Sequence, residues 1–379
     1  MDAPPPDSNH AAVMEQLAAI VRGDAIETRA FAAVDVEAFV QSATQHGVLP
    51  LVVDRLENVE AVPAVLLARL RERATADAAA DLVREVELRR LLGRLDEASA
   101  GALVIKGAHL AYSHYARPDL RPRLDTDLIV PLARKRTAHD VLIALGYETA
   151  GQMSGELVAY QAAYEKRHDG LIVHGVDLHW KIANPQVFAS ALTYEELAET
   201  AVPLDRLSPA ARGLSTVHAL LLACTHRIAH HYDSDRLIWL YDIDLLARAM
   251  TANDWPRFVD LAADRKMVAV CRRSLERTTK WFRTDVPDRV WQDPRFQAAA
   301  NELSAGYLSP RRHVSVIASD VRALPTWGAR WRLLQEHFFP PATYMRNVYA
   351  PASRSPLVFL YAHRLWRGAR KWLARADAS

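Results

Sequence analysis

Residues 101–182 break the periodicity of the sequence on either side of them, and that break limits the folds open to the chain. ALVI at 102–105 is a short apolar run closed by Lys106-Gly107, after which AHLAYSHY resumes three- and four-residue spacing. A strand, a glycine turn and a helix are expected there. LIV at 128–130 predicts a second strand, and ARKRTAHDVLIAL predicts a helix with Gly146 as its cap. VAYQAAYEK at 158–166 and LIVHGVDLHWKI at 171–182 flank His168-Asp169-Gly170, a pattern that predicts a hairpin. The expectation is an α+β fold with a mixed sheet, its core spanning 101–205.

The flanks read differently. Residues 1–100 are dominated by Ala, Leu, Arg and Glu, and VLLARLRERATADAAADLVREVELRRLLGRL carries helical spacing with no proline or glycine before Gly93; Pro63 suits the first turn. Helical spacing returns over 206–310, and 311–379 forms a further helical segment. With half of the 379 residues apolar and 24% charged, the chain has the composition of a protein that buries a core, not of a disordered one. Two cysteines, Cys224 and Cys271, build neither a disulfide framework nor an all-cysteine zinc site. The first ten residues, with their short proline run, lack the pattern of a signal peptide, and no apolar run approaches the ~20 residues of a membrane span. A cytoplasmic protein is expected.

The unusual residues gather in VIKGAHLAYSHYARPDLRPRLDTDLIV. If Asp125 and Asp127 start the strand that runs into LIV, their side chains share one face, with Cα atoms about 6.6 Å apart. Such a pair suits magnesium, which takes carboxylate oxygens together with substrate phosphates. A third acid is needed if metals are to position both attacking and leaving oxygens. Asp177 is the candidate, because period-two alternation puts Leu171, Val173, Gly175, Asp177 and His179 on one face and Ile172, Val176, Leu178 and Trp180 on the other.

The motifs Lys106-Gly107, R-x-D-x-D-L-I-V and V-D-L-H-W, followed by the His-rich helix around Cys224 and by RLIWLYDIDLLAR, resemble a bacterial nucleotidyltransferase family of the DNA polymerase β-like superfamily. The resemblance covers most of the chain. It implies a polymerase β-like core with helical regions before and after it. It also implies transfer of a nucleoside monophosphate from an NTP to a hydroxyl, with pyrophosphate leaving and Mg2+ or Mn2+ required. Asp125, Asp127 and Asp177 would then be the catalytic, metal-holding acids. Gly107 would let backbone amides approach the triphosphate. The superfamily's usual glycine-serine turn is here Lys106-Gly107-Ala108, which shifts phosphate binding towards Lys106 and Arg123, with His179 beside them. A small molecule or peptide is the first expectation for the acceptor and a tRNA end the second. A related phosphoryl transfer on the same site and a non-catalytic nucleotide- or partner-binding scaffold stand as alternatives.

Two other clusters draw less weight. Asp242 and Asp244 sit in a helical pattern, where residues two apart diverge by about 200°, so they do not share one metal. His226 and His230 have the i, i+4 spacing of a zinc pair, with His231 next, but no third ligand or metalloprotease glutamate accompanies them. Charge is uneven as well: residues 311–379 hold 12 Lys/Arg against 3 Asp/Glu, a balance of +9, while the rest stands at −7. SPLVFLYAHRLWRGARKWLARA interleaves Phe359, Tyr361, Trp366 and Trp372 with Arg364, Arg367, Arg370, Lys371 and Arg375. This basic amphipathic helix fits three roles: docking on the protein body, an anionic membrane surface, or RNA phosphates.

Overall fold

The computed structural model describes residues 8–25, 31, 34–150, 157–297, 301–309, 312–349 and 356–376. The proline run of residues 4–6 lies outside the described residues, as do the side chains of Arg370, Lys371, Trp372 and Arg375.

Four helices open the chain: α1 (Ser8–Arg22), α2 (Val36–Gln45), α3 (Leu49–Leu56) and α4 (Ala64–Glu97). Asp35 caps α2 by accepting from the Ala38 amide at 3.1 Å, satisfying one of the amides a helix start leaves free. In α4, Pro63 stands at the N-cap, just outside the first turn, and Gly93 is absorbed without a break. At 34 residues α4 is about 51 Å long. Its first part buries Leu66 and Leu70 in one apolar cluster, and its last turns bury Leu88, Leu91, Leu92 and Leu95 in another.

The sheet then builds up as β1 (Leu103–Ile105), α5 (Lys106–Ser113), β2 (Thr126–Ile129), α6 (Lys135–Ala144), β3 (Tyr147–Thr149), β4 (Gln161–His168) and β5 (Leu171–His179). Asp169 and Gly170, both at positive φ, make the expected tight turn between β4 and β5. After α7 (Gln186–Ala189) and α8 (Tyr194–Glu199), the two-residue strands β6 (Val202–Pro203) and β7 (Arg212–Gly213) complete a seven-stranded sheet of order β3-β4-β5-β2-β1-β7-β6. It is mixed: β2 runs parallel to β5 and antiparallel to β1. Period-two alternation sends Leu103, Ile105 and Ile129 into the larger apolar cluster and Val104, Leu128 and Val176 into the smaller one, so the central strands bury residues on both faces.

Helices α9 (Thr216–Ala229), α10 (Leu237–Ala249), α11 (Asp254–Asp264) and α12 (Val268–Phe282) share the larger cluster with α1–α3. The short α13 (Asp288–Trp291) and α14 (Pro294–Gln297) follow, then α15 (Arg312–Ala323), α16 (Trp327–Phe338), α17 (Ala342–Tyr349) and α18 (Leu357–Ala376). Met345 of α17 and Leu360 of α18 form a small apolar cluster of their own. No helix among the described residues is long and apolar enough to cross a membrane.

Candidate functional site

Parallel pairing of β2 with β5 sets Asp127 directly beside Asp177, and Ile129 beside His179. Residues on one face of a strand repeat every second position, so Asp127, Asp177 and His179 come to the same side of the sheet. Ligand atoms of these three lie within 4.8 Å of one another. Asp125 precedes β2 and is exposed, backing onto Gly175 of β5. It stands at the open rim of the site and not within that close group of three, so the acids expected to act as a trio are placed as an inner pair with an outer member.

Lys106 follows β1 with φ of 55°, an unfavourable region for a side-chain-bearing residue. The turn carries its ammonium to Asp127, with Nζ donating to Oδ1 at 2.6 Å. His179 Nε2 lies 2.9 Å from the same oxygen; since a carboxylate only accepts, Nε2 carries the proton. Burial alone would raise the Asp127 pKa, but Lys106 and His179 hold it well below the usual carboxylate range. Asp177 goes the other way, pushed up to about 6 by burial and by the charges of Asp127 and Asp125. Asp125 is raised by the protein around it and then by Asp127.

Asp177 has a support that the sequence did not disclose. Gln161 Nε2 on β4 donates to its Oδ2 at 2.8 Å, and Asn184 holds Gln161 from behind at 3.3 Å while accepting from the Tyr160 amide. The register that pairs Gln161 with His179 brings this amide to the site.

Both arginines line the site, and each is held by an acid of a neighbouring helix. Arg123, assigned to phosphate from its place before Asp125, is buried and turned towards α4, where Nη2 donates to Asp81 at 2.6 Å and the guanidinium lies 5.0 Å from the Tyr112 ring centre. Burial raises the Asp81 pKa, against which Arg123 pulls down. Arg121 makes a two-pronged bond to Asp242 of α10, which also accepts from the Tyr115 hydroxyl at 2.7 Å. A Cβ at Gly107 would lie 3.2 Å from the Arg121 guanidinium, so the glycine makes room for that cation. Asp244 points away from Asp242, to Thr284 and Arg248, as the helical spacing predicts.

Lys106, Asp125, Asp127, Gln161 and Asp177 open onto a cavity of about 800 Å³ walled on another side by α9, with Asp77 and Arg84 of α4 also lining it. His226, His230 and His231 line it. His226 Nε2 and His231 Nε2 are 3.0 Å apart, and His231 stacks on Trp239 with ring centres 3.8 Å apart. His226 Nδ1 and His230 Nε2 are buried and have no partner among the described residues. Burial, then the Lys106 charge, pushes His230 down to about 3 and His231 to about 4, so both are neutral near pH 7. The spacing noted in the sequence therefore builds a wall of uncharged imidazoles facing the carboxylates.

Ligand atoms at this spacing could hold a metal ion. A family model described as uncharacterised nucleotidyltransferase matches residues 32–283. No curated protein matches the chain.

Proposed function

The chain belongs to the family of uncharacterised nucleotidyltransferases, and we propose that it moves a nucleoside monophosphate from an NTP to a hydroxyl acceptor on a polymerase β-like core. The observation that carries this reading is the parallel register that sets Asp127 beside Asp177, with His179 two residues on. In the reaction the acceptor oxygen bonds to the α-phosphorus, the α–β phosphoanhydride bond breaks, and pyrophosphate leaves with the electron pair. A divalent cation, Mg2+ or Mn2+, supplies neutralisation of the triphosphate charge when bound. Asp127 and Asp177 would hold it, with Asp125 as the outer carboxylate. His179 fixes the Asp127 oxygen through its Nε2 proton. Asp177, beside Asp127 at the cavity, is placed to take the acceptor's proton.

Lys106 lines the cavity, and we assign its ammonium to the donor phosphates, with Gly107 keeping the turn open beside Arg121. Arg123 is assigned instead to fixing α4 against the sheet through Asp81. A cavity of about 800 Å³ falls within the size of small-molecule sites, roughly 300–1,000 Å³. Its unpartnered neutral imidazoles offer hydrogen bonds to uncharged polar groups such as hydroxyls. Both features favour a small hydroxylated molecule or a peptide hydroxyl as acceptor over a tRNA end.

Incubating the protein with each NTP, Mg2+ or Mn2+ and candidate acceptors, and weighing the products, tests the proposal. A product heavier by one nucleoside monophosphate is expected, and Asp127→Asn should abolish it. A gain of one phosphate would replace nucleotidyl by phosphoryl transfer.

A further inference from the structure

Helix α18 turns its apolar residues two ways. Leu360 is buried against Met345 of α17, Tyr361 donates to the Pro340 carbonyl at 2.6 Å, and Arg364 donates to the His337 carbonyl at 3.0 Å. At 100° per residue, Val358, Phe359, Ala362 and Trp366 fall within an arc of about 100°, its centre about 150° from Leu360. Those residues point outward: Val358 is 75% exposed, Phe359 68% and Trp366 56%, and Ala362 is exposed too. On α16, Trp327 and Trp331 lie one turn apart at 82% and 70% exposure, with the Arg330 guanidinium 5.0 Å from the Trp327 ring centre. The helix thus docks through its Leu360 face and leaves this arc outward.

Charge identifies what covers it. Residues 337–376 hold seven Lys/Arg and no Asp/Glu, beside a body that is net negative. An apolar arc with Trp and Phe, in a segment carrying only positive charge, matches an anionic bilayer surface: rings enter the acyl boundary while the segment's net positive charge is drawn to the phosphate headgroups. The helix is not long and apolar enough to cross, so a bilayer-bound form of it would lie in the interface. The aliphatic members of the arc, Val358 and Ala362, have no π-face to stack on bases, which disfavours RNA.

We propose that the C-terminal helices hold the protein on an anionic lipid surface through the outward arc of α18. This reading is independent of the reaction assigned to the cavity, because none of these residues lines it.

The test is co-sedimentation of the full chain with phosphatidylcholine vesicles and with vesicles containing about a third phosphatidylglycerol, at low and physiological salt. Binding to the anionic vesicles alone is expected, weakening as salt rises. Phe359→Ser/Trp366→Ser should raise the lipid concentration for half-binding by about tenfold or more, since each ring contributes through buried apolar area. If that double variant does not fold, Ala362→Asp, an exposed change in the same arc, is read in its place with the same expected loss. Absence of vesicle binding would overturn the proposal. So would vesicle binding that the variants leave intact, RNA binding without lipid binding, or a dimer in solution that the variants dissolve while vesicles capture neither form.

Discussion

Lys106→Met removes the ammonium that lies 2.6 Å from Asp127 in a setting where both side chains are only 12% exposed. Removing one partner of a buried ion pair costs about 3–5 kcal/mol, because the remaining charge is left without compensation. Here Asp127 keeps the hydrogen bond from His179 at 2.9 Å, which places the loss near the lower end, about 3 kcal/mol. With a urea slope of roughly 3 kcal/mol per molar, the midpoint should fall by about 1 M. Tryptophan fluorescence in a urea series, without added metal, reads this directly. Asp127→Asn alone strands Lys106, but the double variant leaves a neutral amide beside a thioether and should recover most of the loss. The double-mutant cycle is therefore expected to return a coupling of about 2 kcal/mol or more. Additivity within about 0.5 kcal/mol would refute the argument that the ammonium and the carboxylate stabilise each other.

Three further outcomes follow from named contacts. His109 and His174 are buried and held down to about 3 by that burial, so their share of stability is complete above 6.5 and is lost as pH falls towards 3. At pH 5 each costs about 2 kcal/mol, and His109→Leu, which replaces a ring whose nitrogens have no partner among the described residues, should lessen the acid loss by that amount in urea midpoints across pH. Gln161→Leu, by freeing Asp177, should weaken manganese binding by about tenfold in calorimetry; unchanged affinity would remove Gln161 from the site's support. Asp242→Asn leaves the Arg121 charge short of its partner and should cost about 3 kcal/mol of stability, while metal dependence of turnover persists.

What the sequence disclosed was local, and what it hid was distant. The Asp169-Gly170 turn fixed a hairpin, and two-residue alternation put Asp177 and His179 on one face, because both depend on backbone geometry over a few residues. Helical period separated Asp242 from Asp244 in the same way. The ion pair of Arg123 was not legible, because its partner, Asp81, lies 42 residues upstream on α4. Gln161 carried no signal, since only strand register brings it to Asp177. Strands β6 and β7 have two residues each, too few for any alternation to be seen. The histidines of α9 were visible as a pattern, but their direction was decided by packing against the sheet and α10.

The central claim is that Asp127 and Asp177 support attack on the α-phosphorus of an NTP. Parallel incubations with α-labelled and γ-labelled NTP, metal and a pool of hydroxylated acceptors measure it. The expected result is α-label on the acceptor, γ-label in pyrophosphate, and neither transfer with Asp127→Asn. Label reaching the acceptor only from the γ-position, or α-label transfer undiminished in Asp127→Asn, would contradict it.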